Sequence, residues 1–287
     1  MERRRESSDA GTIPESGTTS GADLVLLHDG SFEGLLSAVY DAFRLRLGGA
    51  RIASRARHVA NLLEETRELE TDSVKARRVW DGIVERAGKD VAAMYRAAFL
   101  CEEEAVDDAL WKCLRDLFSG PDRARGRNLL DPHVHAVHAA ACRVRHEAHL
   151  FTGMVRFQQA SDGALCAVIA PDHDILELLG PHFLARLPGQ PWMIADSRRG
   201  RVLGCDGASF RPMECDPAQL PRDAREAARL APDGEDRWRD LWTVFYDSVN
   251  IPERANPRQL ARLLPRKYWS HLPERTRTAP RRAEALP

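Results

Sequence analysis

The 287-residue sequence contains no apolar run near the roughly 18 residues that a membrane-spanning helix needs, which excludes an integral helical membrane protein. Residues 1–22 mix Arg3, Arg4 and Arg5 with Glu2, Glu6 and Asp9, so no hydrophobic segment of a secretory signal is present there and a cytoplasmic location is expected. Cysteine is sparse. The six residues lie at gaps of 12, 29, 24, 39 and 10 positions, giving neither a disulfide framework nor a close metal-binding pair, and this speaks against a zinc ribbon or an iron–sulfur protein. Also missing are G-x-x-x-x-G-K-[ST], a strand-borne G-x-G-x-x-G and G-x-S-x-G, the motifs of phosphate-loop hydrolases, dinucleotide oxidoreductases and serine hydrolases. A Cys-x-x-x-Cys-x-x-Cys run is absent too, so the chain is not itself a radical SAM enzyme. Lysine is scarce, with four residues (Lys75, Lys89, Lys112, Lys267) among 42 basic ones, as a GC-rich genome produces.

What is present is the composition of a folded soluble protein: 43% hydrophobic and 30% charged residues, in a chain long enough to bury a sizeable core. Its charge is uneven. Residues 251–287 hold nine Arg or Lys against three Glu, a net +6, while the whole chain carries −1 and the first 250 residues therefore −7. An acidic body with a basic end points to one polyanion-facing surface rather than to uniform nucleic-acid binding.

Residues 1–22, rich in Ser, Gly and Thr, read as a disordered leader, 23–273 as a single α+β domain and 274–287 as a basic flexible tail. Leu24 to Leu27 reads as an edge strand. Apolar spacing predicts helices through Phe32 to Leu47, around Val79 and Ile83, Met94 and Tyr95, and Leu110 and Leu114, which makes the first half helical. Asp131-Pro132 marks the start of a helix over 131–149. From Gly153 the pattern alternates. A strand over 154–158, a turn at Ser161-Asp162-Gly163 and a strand over 164–170 form a first hairpin. A second runs from Trp192 through Ser197 to Gly200 and back, with a helix over 174–187 between them, broken at Gly180-Pro181. A further helical face is predicted from Trp238, Leu241, Trp242, Phe245 and Val249. The expected fold is α+β, with an antiparallel sheet of two consecutive hairpins flanked by helices.

Three features could carry chemistry. His135, His138, Cys142, His146 and His149 form a stripe on the 131–149 helix; one helix face rarely supplies a whole coordination sphere, and no metal is assigned. Glu147 and His149 end that helix just before the first strand, and Asp172 and His173 follow the second, so hairpin geometry brings them to one end of the sheet, with His182 a helix away. Carboxylate and imidazole pairs of this kind suit acid–base or metal-assisted hydrolysis, or simple capping. Finally, Arg254, Arg258, Arg266 and Lys267 interleave with Tyr268 and Trp269, a pattern suited to clamping phosphates and stacking on bases, or to anchoring a terminal helix.

Several stretches together resemble one bacterial family: His28-Asp29-Gly30-Ser31-Phe32-Glu33-Gly34; Arg145, Glu147-Ala148-His149, Gly153 and Arg156-Phe157; Pro171-Asp172-His173 with Pro181-His182-Phe183; Pro188, Gln190 and Trp192; and Glu253-Arg254, Asn256-Pro257 and Pro265-Arg266-Lys267-Tyr268-Trp269. It is the family of proteins assigned to DNA repair or DNA metabolism whose domain is labelled as one of unknown function. The resemblance implies DNA as a partner, a radical SAM protein encoded nearby, and a domain fused elsewhere to uracil-DNA-glycosylase-like domains. It implies no reaction and no cofactor. Of the stripe, only His138 and His149 match the family pattern. The leading expectation is a DNA-binding repair protein; a hydrolase or nuclease using the strand-end cluster and a protein-binding adaptor are the alternatives.

Overall fold

The computed structural model describes residues 24–103, 105–120, 126, 128–159, 163–214, 258 and 264–272. The chain forms two compact units, divided between Gly82 and Ile83.

In the first unit, β1 (Leu24–His28), α1 (Phe32–Arg44), β2 (Arg51–Ser54) and β3 (Glu65–Glu68) build a parallel sheet in the order β2-β1-β3, with α1 against β1 and β2. Val25, Leu26, Leu35, Leu36, Val39 and Ile52 fill its core. The predicted edge strand is therefore the central strand, and the first half of the chain is not all helical. Both partners of β1 are four residues long and β3, Glu-Thr-Arg-Glu, is fully exposed, so neither shows the alternation that betrays a strand. Ser31 caps α1 by accepting the Gly34 N–H at 2.9 Å. A Cβ at Gly34 would lie 2.2 Å from Asp29 Oδ1, so only glycine lets the Asp29 carboxylate sit over the first turn. There it accepts the Ser31 N–H and hydroxyl at 2.8 and 2.7 Å and the Thr71 hydroxyl at 2.8 Å.

After α2 (Ser73–Ala87), the second unit opens with α3 (Lys89–Phe99), α4 (Ala105–Ser119) and α5 (Pro132–Met154). Asp131 caps α5 through the N–H groups of His133 and Val134, and Pro132 stands where no N–H partner is needed. Val134, Val137, Ala141, Val144, Ala148 and Phe151 form its buried face, against which α3 and α4 pack. The helix runs five residues past the expected end, because Phe151 and Met154 continue the buried spacing through Gly153. The strand expected over 154–158 is correspondingly reduced to β4 (Gln158–Gln159).

β4 is followed by β5 (Leu165–Ile169), α6 (Leu176–Arg186), β6 (Trp192–Asp196), β7 (Arg201–Cys205) and β8 (Phe210–Glu214), which lie in sequence order in one sheet. The pairs β4–β5, β6–β7 and β7–β8 are antiparallel, so both predicted hairpins exist. β5 and β6 pair in parallel, which corrects the all-antiparallel expectation. The helix between the hairpins acts as a crossover, and a crossover returns the chain in the same direction. α6 is continuous through Pro181. A Cβ at Gly180 would fall 2.5 Å from the Phe210 ring, so glycine lets α6 approach β8. Phe157, Phe183 and Trp192 meet edge-to-face with centroids 5.1–6.4 Å apart beneath it, and burying each such ring contributes roughly 1.5–3 kcal/mol.

A 3₁₀ helix, Arg266–His271, packs against β5. Among the described residues no helix is long and apolar enough to cross a membrane. The predicted leader 1–22, the apolar face at 238–249 and the tail 274–287 lie outside the described residues.

Candidate functional site

Because β5 and β6 run in parallel, their last residues, Ile169 and Asp196, are register partners and the segments after both strands emerge at one edge. Ser197 fastens the two, its N–H and hydroxyl donating to the Ile169 carbonyl at 2.9 and 3.2 Å. In open sheets with helical crossovers, the carboxyl ends of parallel strands are where loops gather polar groups.

At the centre stands Glu147, on the buried face of α5 and only 6% exposed. Its Oε1 accepts the Asp172 N–H at 2.7 Å and the Tyr268 hydroxyl, and its Oε2 accepts the His173 N–H at 2.8 Å. Three donors thus occupy the carboxylate, two on Oε1 and one on Oε2. Arg199 holds the same turn from its carbonyl side, donating to Pro171 O at 3.2 Å and Asp172 O at 2.6 Å. That guanidinium is 13% exposed and paired with Asp196 at 2.7 Å and Glu102 at 2.9 Å. Burial favours its neutral form, yet the two carboxylates outweigh burial and raise its pKa. Asp196, fully buried, also accepts the N–H groups of Arg198 and Arg199. A buried charge needs such partners.

Asp172 faces outward. Arg198 Nη1 meets its Oδ1 at 2.9 Å and Lys267 Nζ meets its Oδ2. Burial pushes this carboxyl up, but Lys267 and Arg198 outweigh it and hold the pKa below the usual carboxylate range. Asp174 differs. Burial keeps its pKa above the usual value despite pairing with Arg201. The 3₁₀ helix contributes from the other side. Tyr268 is 4% exposed, its ring edge-on to Phe151 at 4.9 Å, and burial together with Glu147 pushes its hydroxyl pKa far up, so it remains a donor. Lys267 Nζ lies 4.8 Å from the Tyr268 ring centre and the Arg266 guanidinium 5.8 Å from that of Trp269, whose indole N–H donates to Leu264 O at 3.0 Å.

The structure thus brings together Glu147, Asp172, His173, Lys267 and Tyr268 from the predicted residues. His173 uses Nδ1 to accept the Glu102 N–H at 3.5 Å. His149, two residues beyond Glu147 and hence ~200° around the helix, is exposed and apart from the cluster. His182 lies within α6 beside Phe183. Tyr268, expected to face nucleic acid, is a core residue whose ring is covered. Trp269 is half-buried, Arg258 and Arg266 are exposed, and Arg254 lies outside the described residues. The stripe of His135, His138, Cys142, His146 and His149 is exposed along α5 rather than packed at a seam. Among the described residues no group of three or more His, Cys, Asp or Glu could hold a metal ion.

Sequence reasoning missed Arg198, Arg199 and Asp196. A signal existed: two adjacent arginines in the turn Ser197-Arg198-Arg199-Gly200, directly after a strand, were read only as a hairpin connection. Chemically, the arrangement offers occupied carboxylates inside and cations outside, which suits holding an anion better than moving protons.

A family model described as DUF4130, a domain of unknown function, matches residues 104–274, more than half of the chain and all of this cluster except Glu102. No curated protein matches, and no solved structure does.

Proposed function

The chain belongs to the DUF4130 family, a domain of unknown function, and on that footing we propose that it is a nucleic-acid-binding protein of DNA metabolism that grips the phosphate backbone with its strand-end surface and works with a radical SAM partner. The observation that carries this reading is the convergence of Arg198 and Lys267, each half exposed, on the single carboxylate of Asp172, next to Arg266 and Trp269 on the 3₁₀ helix. Two cations on one anion leave positive charge at the surface of an otherwise acidic chain. The DNA context and the radical SAM partner are supported by the resemblance of the motifs around Glu147, Pro171 and Pro265 to proteins assigned to DNA metabolism. The hydrolase alternative has less support, because Glu147, its natural general base, already accepts three hydrogen bonds.

The test is a fluorescence-anisotropy titration of the full chain with duplex and single-stranded DNA at several salt concentrations. Affinity should fall steeply with salt, and Arg266→Ala with Lys267→Ala should weaken binding to all sequences alike and flatten the salt slope by about two units. A folded double variant with unchanged affinity and slope would shift the reading to a protein-binding adaptor.

A further inference from the structure

Arg198 and Lys267 reach the same carboxylate from different elements, the turn after β6 and the 3₁₀ helix. Their backbones are fixed. Arg198 N–H is bound to buried Asp196 at 2.9 Å, and Lys267 is held by its neighbour Tyr268, locked between Phe151 and Glu147. Their charged ends are free to meet solvent, each side chain being 51% exposed, and that of Asp172 is 42% exposed. Arg198 also gives Nη1 to the Pro171 carbonyl at 3.2 Å, whereas Arg199 is more fully engaged, by Asp196, Glu102 and two carbonyls.

The backbone of Asp172 is pinned on both sides, its N–H by Glu147 and its C=O by Arg199, whereas its carboxylate is held, among the described residues, by the two cations. Rotation about its side-chain bonds would carry the carboxylate into solvent without moving the turn. Exposed ion pairs are weak, so little opposes that rotation. What remains behind are Arg198 Nη1, which keeps its bond to the Pro171 carbonyl at 3.2 Å, and an ammonium group, placed to meet two oxygens of one anion through charge-assisted hydrogen bonds.

We propose that Arg198 and Lys267 form a clamp for a single phosphate group and that Asp172 fills this clamp in the free protein as an internal competitor. The choice of a phosphodiester as the natural occupant rests on the nucleic-acid reading above; the clamp itself rests on the geometry. Asp172 then sets the strength of binding, and its carboxylate is the part that a phosphate displaces.

Asp172→Asn keeps the shape of the side chain and removes its charge; Asp172→Ala removes both. Full-length variants are compared with the unmodified chain by anisotropy with a labelled single-stranded oligonucleotide and by thermal shift with inorganic tripolyphosphate, after circular dichroism has verified folding. Both variants should bind DNA more tightly, on the order of five- to tenfold at low salt, as removal of one negative charge at contact distance in a water-exposed site gives. Both should also gain more thermal protection from tripolyphosphate, and adding Arg198→Ala should cancel each gain. DNA binding that depends on Arg266 and Lys267 but is unchanged or weaker in both Asp172 variants overturns the clamp and leaves the nucleic-acid reading standing. A tripolyphosphate gain in the Asp172 variants without any DNA binding retains the clamp and overturns that reading. Absence of binding to either probe in every variant overturns both.

Discussion

The Tyr268 hydroxyl donates to the Glu147 carboxylate across 121 positions of sequence, and this bond, beside the Tyr268–Phe151 ring contact, joins the 3₁₀ helix to α5. The same carboxylate holds the turn after β5, so a single side chain fixes three segments. Replacing Glu147 by Ala leaves two backbone N–H groups and a hydroxyl without their acceptor. At roughly 1–3 kcal/mol for each buried unsatisfied group, the loss of stability should be about 3 kcal/mol or more in urea denaturation. Tyr268→Phe removes one bond to a charged group and should cost about 1.5–3 kcal/mol.

The pH dependence of stability should carry the signatures of Asp172 and Tyr268 at opposite ends of the scale. Asp172 is depressed in the folded state, burial being outweighed by Lys267 and Arg198, so its contribution is present above about pH 4 and lost as pH falls further. It is small, because the group is largely solvated. Tyr268 is raised by burial and by Glu147, so its contribution is present below about pH 10 and lost as pH rises beyond that. The stability gap between the unmodified chain and Tyr268→Phe should stay constant between about pH 6 and 9 and narrow above about pH 10. Denaturant midpoints measured across that range check it.

Thiol reactivity should separate two cysteines that composition treats alike. Cys113 is 3% exposed, and burial, reinforced by Asp131 and Asp116, pushes its thiol up to about 12, whereas Cys142 is exposed on α5. Brief maleimide labelling at neutral pH followed by peptide mapping should find Cys142 modified and Cys113 untouched until denaturant is added. Equal labelling of both in the native state would place Cys113 outside the core.

Gly34→Ala should destabilise the first unit by about 1–3 kcal/mol, the usual cost of overpacking. Its new methyl would meet Asp29 Oδ1 and the Thr71 hydroxyl, 2.2 and 2.9 Å from the Cβ position. The full chain with Asp29→Ala added should recover part of the loss, since that change removes the oxygen in the way.

Legibility in the sequence followed the strength of local signals. Asp131-Pro132 marked the start of α5 because capping and φ restriction are properties of one or two residues. Its end was misplaced because Gly153 suggests a stop, whereas Phe151 and Met154 continue to pack. The antiparallel pairings on either side of both predicted turns were legible, residues 160–162 of the first turn lying outside the described residues, but the parallel pairing of β5 with β6 was not, being set by where α6 returns the chain. β2 and β3 were missed because strands of four residues depend on partners rather than on their own pattern. Glu147, Asp172 and His173 do meet, but through the buried face of α5, which carries Glu147 seven residues before its end, and not through neighbouring strand ends. Their roles were not readable, because the two backbone N–H groups that occupy Glu147 carry no signature in residue identity; the separation of His149 was, since two residues along a helix is ~200° around it.

The order in which the chain is made gives the Glu147 contact a further meaning. Ribosomal synthesis delivers α5 and its carboxylate well before the hydroxyl of Tyr268, with β4 to β8 in the interval. During that interval a charge destined for burial has only the Asp172 and His173 amides to receive it, and these arrive with the turn after β5. Contacts so distant in sequence close late and slowly. In chain order Tyr268 is thus the last of the three donors to reach Glu147, and Lys267, its neighbour, comes with it.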